Sequence, residues 1–513
     1  MPYDHNMEHV TNHPSKRPNI VFIQNDHQAY YRWGWDGGPQ PLRPNFDRLA
    51  QSGAEFENAY CTVPLCGPTR RSMLTGLYPH THGQHHNYTD PPYNHEVYLN
   101  TLTQAGYKNY YFGKWHAGPG NANDHGCEGY SETDYGNPYL WESYKEYLER
   151  YDLPRAVHYI EKYFKIPHFL DDGFFLKLEE GADYQCESSW CGEHCVGVTK
   201  TPKETHESFF LANLACEQLE QYKAQGGDEP FSLRVDFWGP HQPHLPTQEF
   251  LDLYPPESFH PPVYGSLHDP LTDKPEFYKR ERSAPFGKDD IIIQPSPVAW
   301  DEWTEIVRHC YAHISMVDAA AGVIMDKLAE LGLDENTLIV YTTDHGDALA
   351  SHGGHFDKGS YMSEEVMRIP CAMAWPGKIP AGQRRSEYVS TIDYPVTLLD
   401  AAGLSFTKNP VHGRSILPLV IGAKDAAGRE YVVSETYGHG YGEDIVSRML
   451  VCGANKYIAT KGHIHELYDL EQDPFELKNQ IDNPVFAEIL GDMRRRLAAW
   501  QAETGDPEQV LGA

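Results

Sequence analysis

Three stretches of the chain share one pattern, a short run of apolar, β-favouring residues that ends in polar groups. Asn19-Ile20-Val21-Phe22-Ile23 leads to Asp26-His27, Phe231 to Phe237 leads to Pro240-His241, and Leu338-Ile339-Val340-Tyr341 leads to Asp344-His345. Continuous apolar runs suit strands buried on both faces of a sheet, and in open α/β sheets ligands bind beyond the carboxyl ends of the strands. The three polar ends are therefore expected to meet in one crevice.

Helical periodicity fills the intervals. Glu305 to Leu331 places Met316, Ala319, Ile324, Leu328 and Leu331 close to one face, with Gly332 as a stop, and a strand run follows soon after at Leu338. Tyr394 to Ala402 is a second predicted helix, with Pro395 in its first turn and Gly403 at its end. This alternation predicts an α/β fold with a large, mostly parallel mixed sheet between helices. From Arg429 onward, short β-type runs (Tyr431 to Ser434, Met449 to Cys452, Tyr457 to Ala459) give way to a final helix from Val485 to Trp500. The predicted organisation is a catalytic domain over 17–422 and a smaller C-terminal α+β subdomain, an antiparallel sheet with a helix, over 423–513. The stretch from 130 to 230 has no clear period and reads as an insertion that walls a pocket. Pro255-Pro256 and Pro261-Pro262 mark further loop.

Charge narrows the range of partners. Over 513 residues, 42 basic against 73 acidic side chains leave a net charge of −31, which opposes a nucleic-acid or long polyanionic partner. An anionic substrate group must then be met by a local patch of Arg, Lys and metal that overrides the global field. Met1 to Pro18 is polar, without the apolar core of a secretory signal, and no stretch reaches the roughly 20 apolar residues of a membrane span, so a cytoplasmic location is expected. The ten cysteines form no regular framework. Cys186, Cys191, His194 and Cys195 are close enough together to suggest zinc, although their gaps match no common zinc module.

One run carries a specific signal: Cys66-Gly67-Pro68-Thr69-Arg70-Arg71-Ser72-Met73-Leu74-Thr75-Gly76. It resembles the signature of the sulfatase family of the alkaline-phosphatase superfamily: Cys or Ser, any residue, Pro, any residue, Arg, then Thr-Gly. The resemblance implies an alkaline-phosphatase-like fold and a sulfuric ester hydrolase. It also implies that a formylglycine-generating maturation enzyme oxidises Cys66 to an aldehyde, whose hydrate attacks sulfur and later expels sulfate by collapsing to C=O. Arg70 would hold the hydrated group and share its charge.

The same resemblance extends to other segments. Asp26, Cys66, Asp344 and His345 match the family's metal positions, with His27 a further candidate ligand where type members carry a second Asp. Calcium is the ion implied by the family, whereas imidazole ligands suit manganese better. Gly113-Lys114-Trp115-His116 resembles the segment in which Lys binds sulfate oxygens and His assists breakdown of the intermediate. His241 matches the general acid that protonates the leaving alkoxide, and Lys358 the second Lys that contacts sulfate and leaving group. Asn87 resembles a substrate-contacting Asn of phosphonate monoester hydrolases. The expected partner is a small-molecule sulfate ester, and the chain is also a candidate homo-oligomer. Two other readings stay open: a phosphonate monoester or phosphodiester hydrolase, favoured by Asp26, Asp344-His345 and Asn87, and a non-catalytic binding protein if Cys66 stays a thiol.

Overall fold

The computed structural model describes residues 17–30, 39–133, 136–163, 179–186, 195–259, 266–283, 300–408, 411–439 and 444–511. Its centre is an eight-stranded sheet built from β1 (Asn19–Asn25), β2 (Ala54–Tyr60), β3 (Lys108–Lys114), β4 (Cys127–Glu132), β8 (Phe231–Asp236), β9 (Thr337–Thr343), β10 (Arg368–Ala374) and β11 (Gln383–Ser390). The order is β11-β2-β10-β9-β1-β8-β3-β4. Every pairing is parallel except those of β10 with β2 and β9. The three runs singled out in the sequence, β8, β1 and β9, are immediate neighbours at the middle of the sheet, which is the expected convergence.

Alternation along β1 shows why its run is continuously apolar. Ile20 and Phe22 join one buried cluster with Met73, Leu74 and Leu398, while Val21 and Ile23 join another with Phe210, Leu219 and Ile324. Helices thus cover both faces, and every second side chain faces a different core.

The helix expected from Glu305 runs from Trp300 to Glu330, and the one expected from Tyr394 spans Asp393–Ala401. The 130–230 stretch departs from expectation. Besides loops it holds Glu142–Arg150, a three-stranded sheet of β5 (His158–Tyr163), β6 (Asp183–Tyr184) and β7 (Cys195–Thr199), and a helix from Glu207 to Ala224. That last helix shows no apolar stripe because Phe209, Phe210, Leu211, Ala212, Leu214 and Ala215 are all buried, so it packs on several sides at once.

The C-terminal part is an antiparallel sheet of β12 (Val432–Thr436), β13 (Ser447–Cys452), β14 (Asn455–Thr460) and β15 (Glu466–Asp469), followed by the helix Ala487–Thr504. It is tied to the main sheet's helices by buried ion pairs. Lys456 reaches Glu364 at 3.1 Å and Glu476 at 2.8 Å, and Glu435 accepts from His80 Nδ1 at 2.8 Å. No described helix is long and apolar enough to cross a membrane.

Candidate active site

Cys66 is the first residue of a ten-residue helix, Cys66–Thr75, entered from extended Leu65 and closed by left-handed Gly76 (φ 71°). Its side chain lies at the helix end where unsatisfied amides favour an anion. The Gly67 amide there donates to Asn87 Oδ1 at 3.0 Å, so Asn87 sits against the residue next to Cys66.

Beyond the strand ends, Asp26, Cys66, Asp344 and His345 bring one ligand atom each within 4.8 Å of one another, and all four are buried. Cys66 Sγ is 3.6 Å from Asp26 Oδ1 and 3.1 Å from His345 Nε2. His345 Nδ1 donates to the Gly346 carbonyl at 2.9 Å, which leaves the Nε2 lone pair facing Cys66. These donors fit a divalent cation: two carboxylates supply charge, and the imidazole is in the ligating tautomer. The nitrogen in the set suits manganese or zinc better than calcium.

Arg70, one turn further along the helix, is fully buried and spans three carboxylates. Its Nε donates to Asp344 at 2.9 Å, its Nη1 to Asp236 at 3.0 Å, and its Nη2 lies 3.3 Å from Asp26. Lys114, at the end of β3, pairs with Asp26. Burial alone would raise the Asp26 pKa, but Lys114 and Arg70 hold it well below the usual carboxylate range. Asp344 is pushed the other way, by burial and by Asp26. Burial and the Asp26 charge push the Cys66 thiol up to about 12, so an unmodified Cys66 is a neutral thiol at pH 7.

Lys358 is buried against Asp357, with Nζ 3.0 Å from Oδ1, and its charge is felt at Cys66 and Asp26. His241 donates from Nδ1 to the Gln242 carbonyl at 2.8 Å. Burial, then Lys358, lower the His241 pKa well below the ordinary histidine value. His116 has a left-handed φ of 47° directly after Lys114 and Trp115, and its pKa too is lowered, by burial and then by Lys114.

His27 lies outside the four-residue group. Its Nε2 is 2.9 Å from Asp357 Oδ1 and 3.7 Å from Asp347 Oδ2, and its ring packs 4.8 Å from both His241 and His345. Its backbone amide instead serves the group, donating to Asp344 Oδ1 at 3.1 Å.

Four residues not singled out in the sequence join the site. Asp236 ends β8 and anchors Arg70, a position the apolar-run pattern already contained. Asp347 and Asp357 stand beside recognised residues. His439, in the loop after β12, interacts electrostatically with Lys358 and Asp357, and nothing local in the sequence marks it. Of the suggested zinc cluster, Cys191 and His194 lie outside the described residues, while Cys186 and Cys195 are both buried in one apolar cluster.

Comparison with known proteins agrees with this geometry. Residues 18–404 match the family model described as sulfatase, and residues 351–503 match that of the N-sulphoglucosamine sulphohydrolase C-terminal region. An ulvan-active sulfatase of Formosa agariphila is 26% identical over 96% of this chain and 82% of its own. A choline-sulfatase of Rhizobium meliloti is 28% identical over 96% and 88%. Among solved structures, the phosphonate monoester hydrolase of Agrobacterium radiobacter superposes with a TM-score of 0.72 at 19% identity, covering 95% of this chain and 96% of that one. The matched length, the relatives and the strand-end crevice place the chain in the sulfatase family of hydrolases, with an alkaline-phosphatase-like fold.

Proposed function

We propose that the protein hydrolyses sulfate monoesters of small alcohols, with Cys66 as formylglycine at the centre of the site. The observation that carries this is a cluster of buried cations at the strand ends which, together with a divalent cation, would offset the carboxylates gathered there. In a chain of net charge −31, the crevice around Cys66 gathers Arg70, Lys114 and Lys358, all buried, as an anion of tetrahedral oxygens requires.

Asp26, Asp344, His345 and the modified residue 66 would hold a divalent cation, which supplies Lewis-acid polarisation of oxygen. A hydrated formylglycine made from Cys66 by a maturation enzyme supplies the hydroxyl nucleophile and a second hydroxyl for release of sulfate. The remaining work falls to this chain's own side chains. Arg70 keeps Asp26, Asp236 and Asp344 apart and oriented. Lys114 and Lys358 bind substrate oxygens, and Asn87 fixes the amide next to the nucleophile.

His241 protonates the leaving alkoxide. The bond from its Nδ1 to Gln242 aims Nε2 away from the backbone, and the charge of the bound sulfate restores the proton that burial and Lys358 remove. His116, next to Lys114, takes part in release of the bound group. A cytoplasmic site of action goes with this reading.

A phosphonate monoester or phosphodiester is the second reading, favoured by His345 among the ligand atoms and by Asn87 beside Gly67. One purified sample separates the two. Intact-mass analysis of the Cys66 peptide should show conversion of the thiol to the aldehyde, and an aryl sulfate should be turned over faster than the matching aryl phosphonate ester. A large phosphonate preference would overturn the sulfate assignment, and an unconverted thiol with no turnover of either ester would remove the enzyme reading.

A further inference from the structure

Beside His241 lies a second buried group that the proposed reaction does not use. His206, Glu207 and His313 each place a ligand atom within 4.8 Å of the others, and all three are buried. His206 and Glu207 begin the helix Glu207–Ala224, and His313 comes from the middle of the helix Trp300–Glu330. The three side chains border a cavity of about 20 Å³, room for one water-sized species, whose wall includes His158, His241 and Cys186.

The group is only partly satisfied: Ser208 Oγ donates to Glu207 Oε1 at 2.8 Å and the Ser208 amide to His206 Nδ1, but Glu207 Oε2 is buried without a hydrogen bond. Both nitrogens of His313 are buried without a hydrogen bond, although His313 is only 3% exposed. An imidazole buried in this way normally costs stability unless something satisfies it. Glu207 forms no ion pair with any Lys or Arg among the described residues, and its one charged-type neighbour at ion-pair distance is His206, at 3.8 Å. The His206 Nδ1 lone pair accepts the Ser208 amide through a long 3.3 Å contact, which a metal on that nitrogen would replace. The two imidazole rings stand nearly perpendicular with centroids 5.4 Å apart, close enough for both to reach one ion.

We propose that His206, Glu207 and His313 form a second metal site for zinc or a similar late first-row divalent ion, with one coordination position open to the cavity beside His241. Two imidazoles and one carboxylate are the donor set of an open tetrahedral zinc site, and the ion neutralises a carboxylate that no Arg or Lys serves. Such an ion also fixes the turn that carries His241. A Cβ added at Gly239 would lie 2.6 Å from His313 Nε2, so the imidazole is pressed against that turn. The site does not depend on the proposed ester chemistry.

The test uses the unaltered full-length chain, stripped with a chelator, crystallised and soaked in millimolar zinc. The expected result at the zinc edge is an anomalous peak between His206, Glu207 and His313, separate from any peak beside Asp344. No peak at that position overturns the proposal. A peak there with none at Asp344 supports it and leaves the ester-hydrolase reading to the turnover assay. Equilibrium dialysis gives the second measurement. Asp344→Asn should retain one equivalent of zinc per chain, and His313→Gln in that background should lose it. Retention of the equivalent in the double variant overturns the assignment, and if the double variant does not fold, the map of the unaltered protein decides.

Discussion

At the floor of the crevice Asp26, Asp236 and Asp344 share Arg70 and Lys114, whereas on its flanks Glu207 faces imidazoles and Asp269 with Glu365 shares His352. All these carboxylates are buried or nearly so, and none can stay ionised alone. The floor uses cations whose charge does not change between pH 5 and 9, so its field stays constant where substrate binds. The flanks rely mainly on histidine, with Lys274 3.8 Å from Asp269 the exception, so most of their compensation depends on protons or on a bound ion.

The largest effect should come from removing the floor's permanent cation. Arg70→Met leaves three carboxylates facing one another, and it is expected to cost about 3–5 kcal/mol in urea unfolding and to abolish turnover. Unchanged stability would mean that the carboxylates are held apart by something other than Arg70. Lys114→Ala should lower kcat roughly 100- to 1,000-fold while the protein remains folded, because Arg70 still serves Asp26. A rise in KM alone would place Lys114 in ground-state binding instead.

On the flank, burial works against protonation of His352, but Glu365 and Asp269 raise its pKa to about 9. A folded-state pKa above the unfolded value near 6.5 gives stability that is complete below about pH 6.5 and is lost as pH rises through 9. The amount is on the order of 3 kcal/mol. Thermal unfolding between pH 6 and pH 10 should show this fall, and His352→Gln should flatten it. The smallest expected effect belongs to His27→Gln, which should lower turnover about tenfold while metal bound beside Asp344 stays unchanged in elemental analysis. Loss of that metal would make His27 a ligand after all.

How much of this was legible in the sequence follows the same division. Asp26, Asp344, His345 and His241 could be found because each follows an apolar strand run, whereas Cys66, Arg70 and Lys114 were legible through their resemblance to family segments. Lys114 ends a strand, β3, that the apolar pattern did not mark. The flanks were not legible, because they depend on packing between segments far apart in the chain. His206 and Glu207 meet His313 only where two helices cross, and one of those helices is buried on too many sides to show a period. His439 is brought in by the C-terminal sheet. Asp236 was within reach of strand-end reasoning, but the Pro240-His241 pair that follows it drew the reading instead.

The burial of Cys66 also sets a timetable. The side chain is 1% exposed and is closed over by His345, 279 residues later in sequence. Parallel strands of such separation pair late in folding, since the loop between them must first be closed. Until β9 docks beside β1, the Cys66 segment is open to another protein, and afterwards it is sealed. If Cys66 is oxidised as proposed, the enzyme would have to act on the growing or unfolded chain, and the yield of active molecules would be set by a race between oxidation and folding.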